Sequence, residues 1–343
     1  MKFNQSYIHD LSTISEVPNI DKLSTDKILI TGATGLIGSC LADMLLAYSQ
    51  RGNINLHLVL AGRNIEVLHS RFEPYGRNQN VGFVEYDAMK PLQFDDSFDF
   101  IIHCASNAHP AAFATQPVET IMTNICGTRN LLDLLRKAGT GRMLYVSSSE
   151  VYGNGNGGKP YKENDYLYID PLDPRSCYPN SKRLCETLCR SYHEEYGVDF
   201  LVVRPGHVYG PTMTSKDSRA HAQFARAAKA HKDIIMKSDG AQLRSYCYVV
   251  DCATAILTVL LNGKTAEAYN ISNPHSVVTI AHMAEEFAAA GGVKVRRIQA
   301  TTSEKKGYNR MTCSALDSSK LWSLGWVAHF DAKTGAHRTL QSL

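Results

Sequence analysis

The sequence of 343 residues contains no long uninterrupted apolar run. A membrane-spanning helix needs about 18 or more predominantly apolar residues in a row, and no stretch here approaches that length. The first ten residues are mostly polar and lack the apolar core of a secretory signal peptide. These absences predict a protein without a membrane partner, and we expect it in the cytoplasm.

An excess of either charge is also missing, since the formal net charge is only +3. Lys and Arg are interspersed with Asp and Glu, so no basic patch indicates a nucleic-acid partner. The nine cysteines are scattered, and Cys185 and Cys189 lie four apart within a helical pattern. This spacing fits neither a disulfide framework nor a metal site, so we expect reduced thiols and no metal.

What is present is an alternation of short apolar runs with helical patterns, which predicts βαβ units and a parallel sheet covered on both faces. Helical patterns cover Leu36–Ala47, 118–137 and 180–196. The expected fold class is therefore α/β, a Rossmann-type doubly wound parallel sheet with a smaller mixed C-terminal substrate lobe. The predicted strands are Lys27–Thr31, Leu56–Ala61, Val81–Tyr86, Phe98–His103, Arg142–Ser147 and Phe200–Arg204.

The regular alternation of predicted strands and helices ends after Arg204, and this change suggests the domain boundaries. We expect an N-terminal extension over 1–26 and a dinucleotide-binding domain over 27–205, with later return segments near 245–272. Residues 206–343 would form mainly the substrate-binding lobe. Ligands of a doubly wound sheet bind off the carboxyl ends of its strands, where a second lobe can hold a substrate against a cofactor.

A glycine-rich turn follows the first predicted strand and opens a helix, in the run TGATGLIG at Thr31–Gly38. The first glycine permits a tight turn, the second lets the backbone approach a pyrophosphate, and the third lets helix and strand pack closely. The helix N-terminus then offers free N–H groups to phosphates. The expected dinucleotide contacts are Gly32, Thr34, Gly35, Leu36, Ile37 and Gly38.

The end of the second predicted strand bears on the choice between NAD and NADP. An acidic residue that would bind the adenosine ribose is absent, and Arg63 follows the strand instead. Arg63 favours NADP slightly, because a guanidinium can meet a 2′-phosphate, although a solvated surface arginine is the alternative. Asp87 and Ala88 follow the third strand, where Asp87 can bond the adenine amino group or cap a turn.

A catalytic set is predicted by a serine-rich strand end and a later Tyr-x-x-x-Lys. Tyr178 and Lys182 lie one helical turn apart on the same face. A phenol is a weak base at neutral pH, and a nearby ammonium lowers its pKa so that it can take a proton from a hydroxyl. Lys182 can also bond a nicotinamide ribose, and Ser148 on the facing strand can share the proton path.

Taken in order, these motifs resemble the signatures of the extended short-chain dehydrogenase/reductases, the nucleotide-sugar epimerase, dehydratase and decarboxylase family. The resemblance runs from about Lys27 to Leu324-Gly325-Trp326. It implies a homodimer and transient oxidation of a sugar hydroxyl, usually at C4, by bound NAD or NADP. The matching runs are Gly32–Gly38, Asp87, 124–130 (NICGTRN), 147–153 (SSSEVYG), Tyr178–Lys182 and 204–211 (RPGHVYGP).

Within that family, the run SSSEVYG is most similar to the corresponding run of UDP-glucuronate decarboxylases and to that of GDP-mannose dehydratases. The resemblance implies that Ser148 is catalytic and that Glu150 acts as acid or base after the oxidation. A structural carboxylate is the alternative for Glu150. The segment 170–178 (DPLDPRSCY) also resembles the decarboxylase segment that precedes the catalytic tyrosine.

Substrate contacts follow from the same resemblance. Arg219 and Arg244 stand where relatives bind the nucleotide's phosphates, although surface ion pairing is the alternative for both. His207 occupies the place of an asparagine that contacts substrate in relatives, and Pro-Asn-Ser follows Tyr178 where the decarboxylases have an acidic trio. Both departures leave the nucleotide and the sugar open.

Several functions therefore compete at this stage. A decarboxylase or dehydratase would use Glu150, whereas a nucleotide-sugar 4-epimerase would need only room for the sugar to rotate. A simple NAD(P)-dependent reductase of a nucleotide-linked sugar or polyol is a further alternative. A non-catalytic cofactor-binding sensor would not need Ser148, Tyr178 and Lys182 together.

Overall fold

The computed structural model describes residues 4–52, 54–75, 80–92, 94–299 and 311–343. Short strands are spread over the whole chain. They are β1 (Lys27–Thr31), β2 (His57–Gly62), β3 (Val81–Glu85), β4 (Phe100–His103), β5 (Arg142–Val146), β6 (Asp199–Pro205), β7 (His207–Tyr209), β8 (Ile234–Met236), β9 (Leu243–Tyr248), β10 (Ala268–Ile271), β11 (Val277–Thr279), β12 (Val295–Arg297) and β13 (Cys313–Ser314).

Helices connect most of these strands. They are α1 (Gln5–Asp10), α2 (Leu36–Gln50), α3 (Ile65–Phe72), α4 (Pro110–Thr115), α5 (Pro117–Ala138), α6 (Cys177–Tyr196), α7 (Ala220–Lys229), α8 (Val249–Asn262), α9 (Ile280–Gly291), α10 (Ser319–Trp322) and α11 (Ala332–Ser342). Short 3₁₀ turns include Ser149–Tyr152 and Pro174–Ser176, which both flank the functional site. No helix in the described ranges combines the length and apolar character that crossing a membrane requires.

The main sheet has seven strands in the order β3-β2-β1-β4-β5-β6-β10. All its neighbours pair in parallel. Its central strands are buried on both faces, because α2 and α8 cover one side and α5 and α6 the other. The predicted α/β doubly wound fold is confirmed. The strand order reverses between β1 and β4, the place where such sheets bind ligands beyond their carboxyl ends.

A smaller mixed sheet lies beyond that edge. β9 is its central strand and pairs with β7, β11 and β13, while β8 and β12 form a separate pair. The segment 245–272 divides between the two layers. α8 packs on α2, and β10 joins the main sheet beside β6, whereas β9 belongs to the small sheet.

Residues 4–26 pack against the dinucleotide-binding layer, as apolar side chains of this extension enter the main core. The Tyr7 hydroxyl donates a 2.8 Å hydrogen bond to Asp43 on α2, and the Tyr248 hydroxyl donates one of 3.1 Å to Asp10. The extension thus fastens α2 to the end of β9. Its buried apolar residues are Tyr7, Leu11, Ile14, Val17, Ile20 and Leu23.

Helix α6 begins earlier than the sequence pattern predicts, at Cys177 rather than at residue 180. Pro179 is tolerated there because the first N–H groups of a helix have no intrahelical partner. A 3₁₀ turn at Pro174–Ser176 leads directly into the helix, and the Asp173 side chain caps this turn. Tyr178 is therefore held within the first helical turn rather than in a loop.

Candidate active site

A cavity of about 1020 Å³ lies beyond the carboxyl ends of the main sheet and beneath the small sheet. It reaches Ile37 at the start of α2 and Cys104 after β4. Its wall brings together side chains from both layers that are far apart in sequence. The predicted site residues that line it are Ile37, Ser148, Glu150, Tyr178, Lys182, His207, Arg219 and Arg244.

The glycine turn brings the chain back tightly on itself. Gly32 adopts a φ of +67°, and a Cβ on Gly38 would lie only 2.4 Å from the Gly32 carbonyl oxygen. Gly35 caps α2 without any side-chain hydrogen bond, so the first N–H groups of the helix are open to a phosphate. The predicted contacts Gly32, Thr34, Gly35, Leu36, Ile37 and Gly38 lie in this turn and in the first turn of α2.

The residues predicted to contact adenosine lie beside this turn. Arg63 is exposed just beyond the end of β2. Asp87 follows β3 and accepts a 3.1 Å hydrogen bond from the Met89 N–H, so it caps a turn with one carboxylate oxygen. Ala88 is buried against Gly127 of α5, where a Cβ would come within 2.8 Å of the Ala88 methyl group.

Tyr178 is almost fully buried at the floor of the cavity, with its ring stacked on Phe113 at 4.5 Å between centroids. Burial and the Glu150 charge raise the pKa of Tyr178 to about 12, although a hydrogen bond with Ser148 and the charge of Arg219 act in the opposite direction. The expectation of a lowered phenol pKa is thus wrong for the protein by itself, because desolvation outweighs the neighbouring cations.

Lys182 is also buried, one turn after Tyr178. Its ammonium donates a 2.7 Å hydrogen bond to the Val146 carbonyl oxygen at the end of β5, and it lies 5.9 Å from the centre of the Tyr178 ring. Burial lowers the pKa of Lys182 to about 8. The lysine is therefore anchored to the strand end rather than to the phenol oxygen.

A buried ion pair between Glu186 and Arg204 holds the serine-rich end of β5. The Ser147 hydroxyl donates a 2.5 Å hydrogen bond to Glu186, and the Arg204 guanidinium donates to both oxygens of the same carboxylate, at 3.0 and 2.6 Å. β5, β6 and α6 are joined by this arrangement. It fixes the backbone that carries Ser148.

Glu150 does not stand alone in the cavity. The Arg175 guanidinium donates a 2.9 Å hydrogen bond to Glu150 Oε1, and both side chains are less than one-fifth exposed. Arg175 also lies over the Phe113 ring, 4.7 Å from its centroid. The carboxylate, guanidinium and two aromatic rings of Phe113 and Tyr178 thus form one connected stack.

His207 begins β7 and faces a second histidine, His221, with their ring centroids 6.5 Å apart. Burial and the charge of Arg244 hold the pKa of His207 well below its usual range, and burial lowers that of His221 to about 3. Among the described residues, His207 Nδ1 and His221 Nε2 have no hydrogen-bond partner, and both histidines line the cavity.

The two predicted phosphate-binding arginines differ in their surroundings. Arg219 forms a bidentate pair with Asp217, with hydrogen bonds of 3.0 and 2.6 Å, as the ion-pair alternative expects. Arg244 is 2% exposed and donates to the carbonyl oxygens of Leu243 and Met311. Among the described residues no carboxylate forms a salt bridge with Arg244. Burial lowers the pKa of Arg244, and the charge of Glu150 acts in the opposite direction.

Comparison with known proteins shows which family this chain resembles. The model of the family described as "NAD dependent epimerase/dehydratase family" matches residues 28–272. The chain belongs to this family. UDP-glucuronic acid decarboxylase 6 of Arabidopsis thaliana is 32% identical over 289 residues, which cover 82% of this chain and 80% of the relative. UDP-glucuronic acid decarboxylase 1 of Xenopus tropicalis is 32% identical over 275 residues.

The alignment with the Xenopus protein covers 78% of this chain but only 61% of that relative's length. Solved structures are similar over more of their length. A UDP-glucuronic acid 4-epimerase from Bacillus cereus has a TM-score of 0.77 at 22% identity, with 92% of this chain and 98% of that chain covered. A dTDP-glucose 4,6-dehydratase from Streptomyces venezuelae has a TM-score of 0.78 at 24% identity, with 92% and 96% covered. These similarities show the fold.

Several residues of this family member were not singled out from its sequence. Arg175 lies within the segment that resembles the decarboxylases, and His221 follows Arg219 by two residues, so proximity to other site residues was the available signal. Phe113 and Glu186 carried no such signal. One residue of the Pro-Asn-Ser run, which differs from the acidic trio of the decarboxylases, has a structural role. Ser181 accepts a 2.9 Å hydrogen bond from Asn124 and donates one to the Tyr178 carbonyl oxygen.

Proposed function

We propose that this chain is an enzyme that oxidises the C4 hydroxyl of a nucleotide-linked uronic acid with bound NAD and then releases the sugar's carboxylate as carbon dioxide. The observation that carries the proposal is the meeting of four groups in one cavity. Tyr178, Lys182 and Ser148 line it together with Glu150. Arg219 and Arg244 line the same cavity. The similarity to UDP-glucuronic acid decarboxylases supports the choice of reaction.

Oxidation of the alcohol requires that the C4 hydroxyl oxygen lose a proton and that C4 itself lose a hydride. Tyr178 takes the hydroxyl proton, and Ser148 holds the phenol oxygen by a hydrogen bond. Bound NAD would supply the acceptor for the C4 hydride and the source for its return. Lys182, fixed on the Val146 carbonyl oxygen, places a positive charge beside Tyr178 that favours its charged form.

The second step follows from the ketone formed at C4. A carboxylate on C5 then belongs to a β-keto acid, whose C5–C6 bond breaks with its electron pair passing into an enolate while carbon dioxide leaves. C5 must next gain a proton, and the ketone must regain hydride and proton. We propose that Glu150 acts in this second half, because it lies in the cavity wall only two residues after Ser148.

We further propose that Arg63 lets the site accept NADP as well as NAD, with a slight preference for NADP. Arg63→Ala should weaken NADP about tenfold or more, the loss expected of a hydrogen bond to a charged group, and leave NAD within about twofold. Isothermal titration of each cofactor measures both affinities. Lys90→Ala is a matched control, since Lys90 is an exposed cation near the same edge, paired with Asp87.

Equal losses of NAD and NADP affinity in Arg63→Ala would contradict this assignment. Tighter binding of NAD than NADP by the unchanged enzyme would contradict the preference itself. Either result would make Arg63 a solvated surface arginine.

Helices α5 and α6 pack side by side and expose apolar side chains, which supports a homodimer. Val118 and Met122 of α5 are 72% and 39% exposed, and Leu184 of α6 is 48% exposed. We propose that these helices pair with their copies in a dimer. A monomer in light scattering at micromolar concentration would contradict this assembly.

The reaction itself is tested by offering the enzyme a panel of UDP-, GDP-, dTDP- and CDP-linked sugars, each as the uronic acid and as the neutral hexose. Mass spectrometry of the products then shows which nucleotide is accepted and whether carbon dioxide is lost. We expect a nucleotide-linked pentose from a uronic acid. A product with an intact carboxylate and inverted C4 would instead identify a 4-epimerase.

A further inference from the structure

Arg175 occupies a fixed position in the wall of the cavity. Its backbone N–H donates a 3.0 Å hydrogen bond to Asp173, which caps the 3₁₀ turn before α6. Its guanidinium is held on one side by Glu150 at 2.9 Å and across its face by the Phe113 ring at 4.7 Å. A planar cation stacked in this way loses little freedom when it binds a further partner.

The guanidinium has hydrogen-bonding capacity left over. The Arg175 guanidinium carries five N–H donors. Its Nη2 donates a hydrogen bond to the Glu150 carboxylate. Its Nε is buried and has no hydrogen-bond partner in the part of the chain that the structure describes. A buried donor without an acceptor is costly unless a ligand completes it. The side chain lines the cavity, so such a ligand can reach it.

The place of Arg175 relative to the reacting carbon suggests what this ligand is. The Phe113 ring contacts both the Tyr178 ring and the Arg175 guanidinium, so the cation lies close to the base that acts at C4. A substituent on C5 is the neighbour of C4 in the sugar. Guanidinium groups bind carboxylates through paired, charge-assisted hydrogen bonds.

We propose that Arg175 recognises the carboxylate of the substrate sugar and thereby selects nucleotide-linked uronic acids over neutral hexoses. This role rests on the proposed function and assigns the substrate class to one residue. The other arginines of the cavity are engaged differently, since Arg219 is paired with Asp217 and Arg244 is bound to backbone carbonyl groups.

The arrangement also favours loss of carbon dioxide. With substrate bound, Arg175 would stand between two carboxylates, that of Glu150 and that of the sugar. One guanidinium cannot balance both charges, so the bound carboxylate is less stabilised than it would be by a free arginine. Departure of neutral carbon dioxide moves one of the two negative charges away from Arg175 and onto the enolate. An interaction that improves along the reaction in this way accelerates the step.

The test compares the binding of two ligands that differ only in the carboxylate. UDP-glucuronate and UDP-glucose are titrated calorimetrically into cofactor-loaded enzyme carrying Tyr178→Phe, which is expected to slow turnover about 100-fold or more. Adding Arg175→Gln should weaken UDP-glucuronate about 10- to 100-fold, as expected for a lost charge-assisted pair, and UDP-glucose less than about threefold. Unchanged UDP-glucose binding also shows that the variant is folded.

Two further variants separate direct recognition from a structural role. Glu150→Gln combined with Arg175→Gln removes the repulsion that an unbalanced Glu150 would exert, and UDP-glucuronate should stay weak. Recovery of its affinity in that double variant would overturn the proposal, because Arg175 would then only neutralise Glu150. Arg175→Lys keeps the charge and should restore part of the preference for UDP-glucuronate.

The outcomes also distinguish this proposal from the proposed function. Equal weakening of UDP-glucuronate and UDP-glucose by Arg175→Gln would overturn the role of Arg175, even if the active enzyme releases carbon dioxide. An active enzyme that keeps the carboxylate in its product would overturn the decarboxylase function, while selective weakening of UDP-glucuronate would still support recognition by Arg175.

Discussion

Replacing Tyr178 with Phe is expected to slow the reduction of bound NAD by substrate about 100- to 10,000-fold, the usual contribution of general acid–base catalysis. The variant keeps the ring, its 4.5 Å stack on Phe113 and its burial, so the fold and substrate binding should persist. It removes only the oxygen that takes the hydroxyl proton. Stopped-flow absorbance in the band of the reduced nicotinamide measures the rate directly.

Tyr145→Phe provides a matched control for this prediction. Tyr145 is also a buried tyrosine near the same lysine, and the Lys182 ammonium lies 4.7 Å from its ring centroid, but its side chain does not line the cavity. Its loss should change NAD reduction less than about threefold, since no general acid or base is removed. Similar rates in the two variants would show that Tyr178 is not the base.

Glu150→Gln is expected to separate the two halves of the reaction. Gln keeps the shape of the side chain and an oxygen that can accept from Arg175, but it loses the charge and the proton-transfer capacity. NAD reduction should stay within about tenfold of the unchanged enzyme, whereas product formation should fall about 100-fold or more. The 4-keto sugar should then accumulate and be found by quenching the reaction.

Glu163→Gln is a suitable comparison for this variant. Glu163 accepts a hydrogen bond from the Asn270 backbone N–H outside the cavity, so its replacement tests the loss of a carboxylate without a catalytic role. Normal turnover by Glu150→Gln would contradict the proposed second step. The 4-epimerase alternative, which needs no carboxylate at this position, would then be favoured.

The sheet could be predicted closely from the sequence because its strands are buried on both faces. Lys27–Thr31 was predicted with the bounds that β1 has, and the other predicted strands differ from β2 to β6 by one or two residues at an end. Apolar runs of this kind reflect burial, which is a local property of the chain. The glycine turn was equally clear, since Gly32 and Gly38 meet steric demands within eight residues of sequence.

The contacts that tune the site could not be predicted in the same way. Glu150 and Arg175 are 25 residues apart, and Phe113 reaches Tyr178 from a different helix. Such pairs depend on how α4 and α6 pack beside β5. The pKa of Tyr178 has the same origin, because a pattern of Tyr-x-x-x-Lys reveals a neighbouring cation but not the burial that outweighs it.

The central claim is tested most directly by converting UDP-glucuronate that carries deuterium at C4 with NAD-loaded enzyme and analysing the product by mass spectrometry. The account predicts a UDP-linked pentose that has lost carbon dioxide and kept the deuterium at C4, because the hydride that leaves C4 is returned to it from the same bound cofactor. A product that keeps the carboxylate, or a pentose without deuterium, would contradict it.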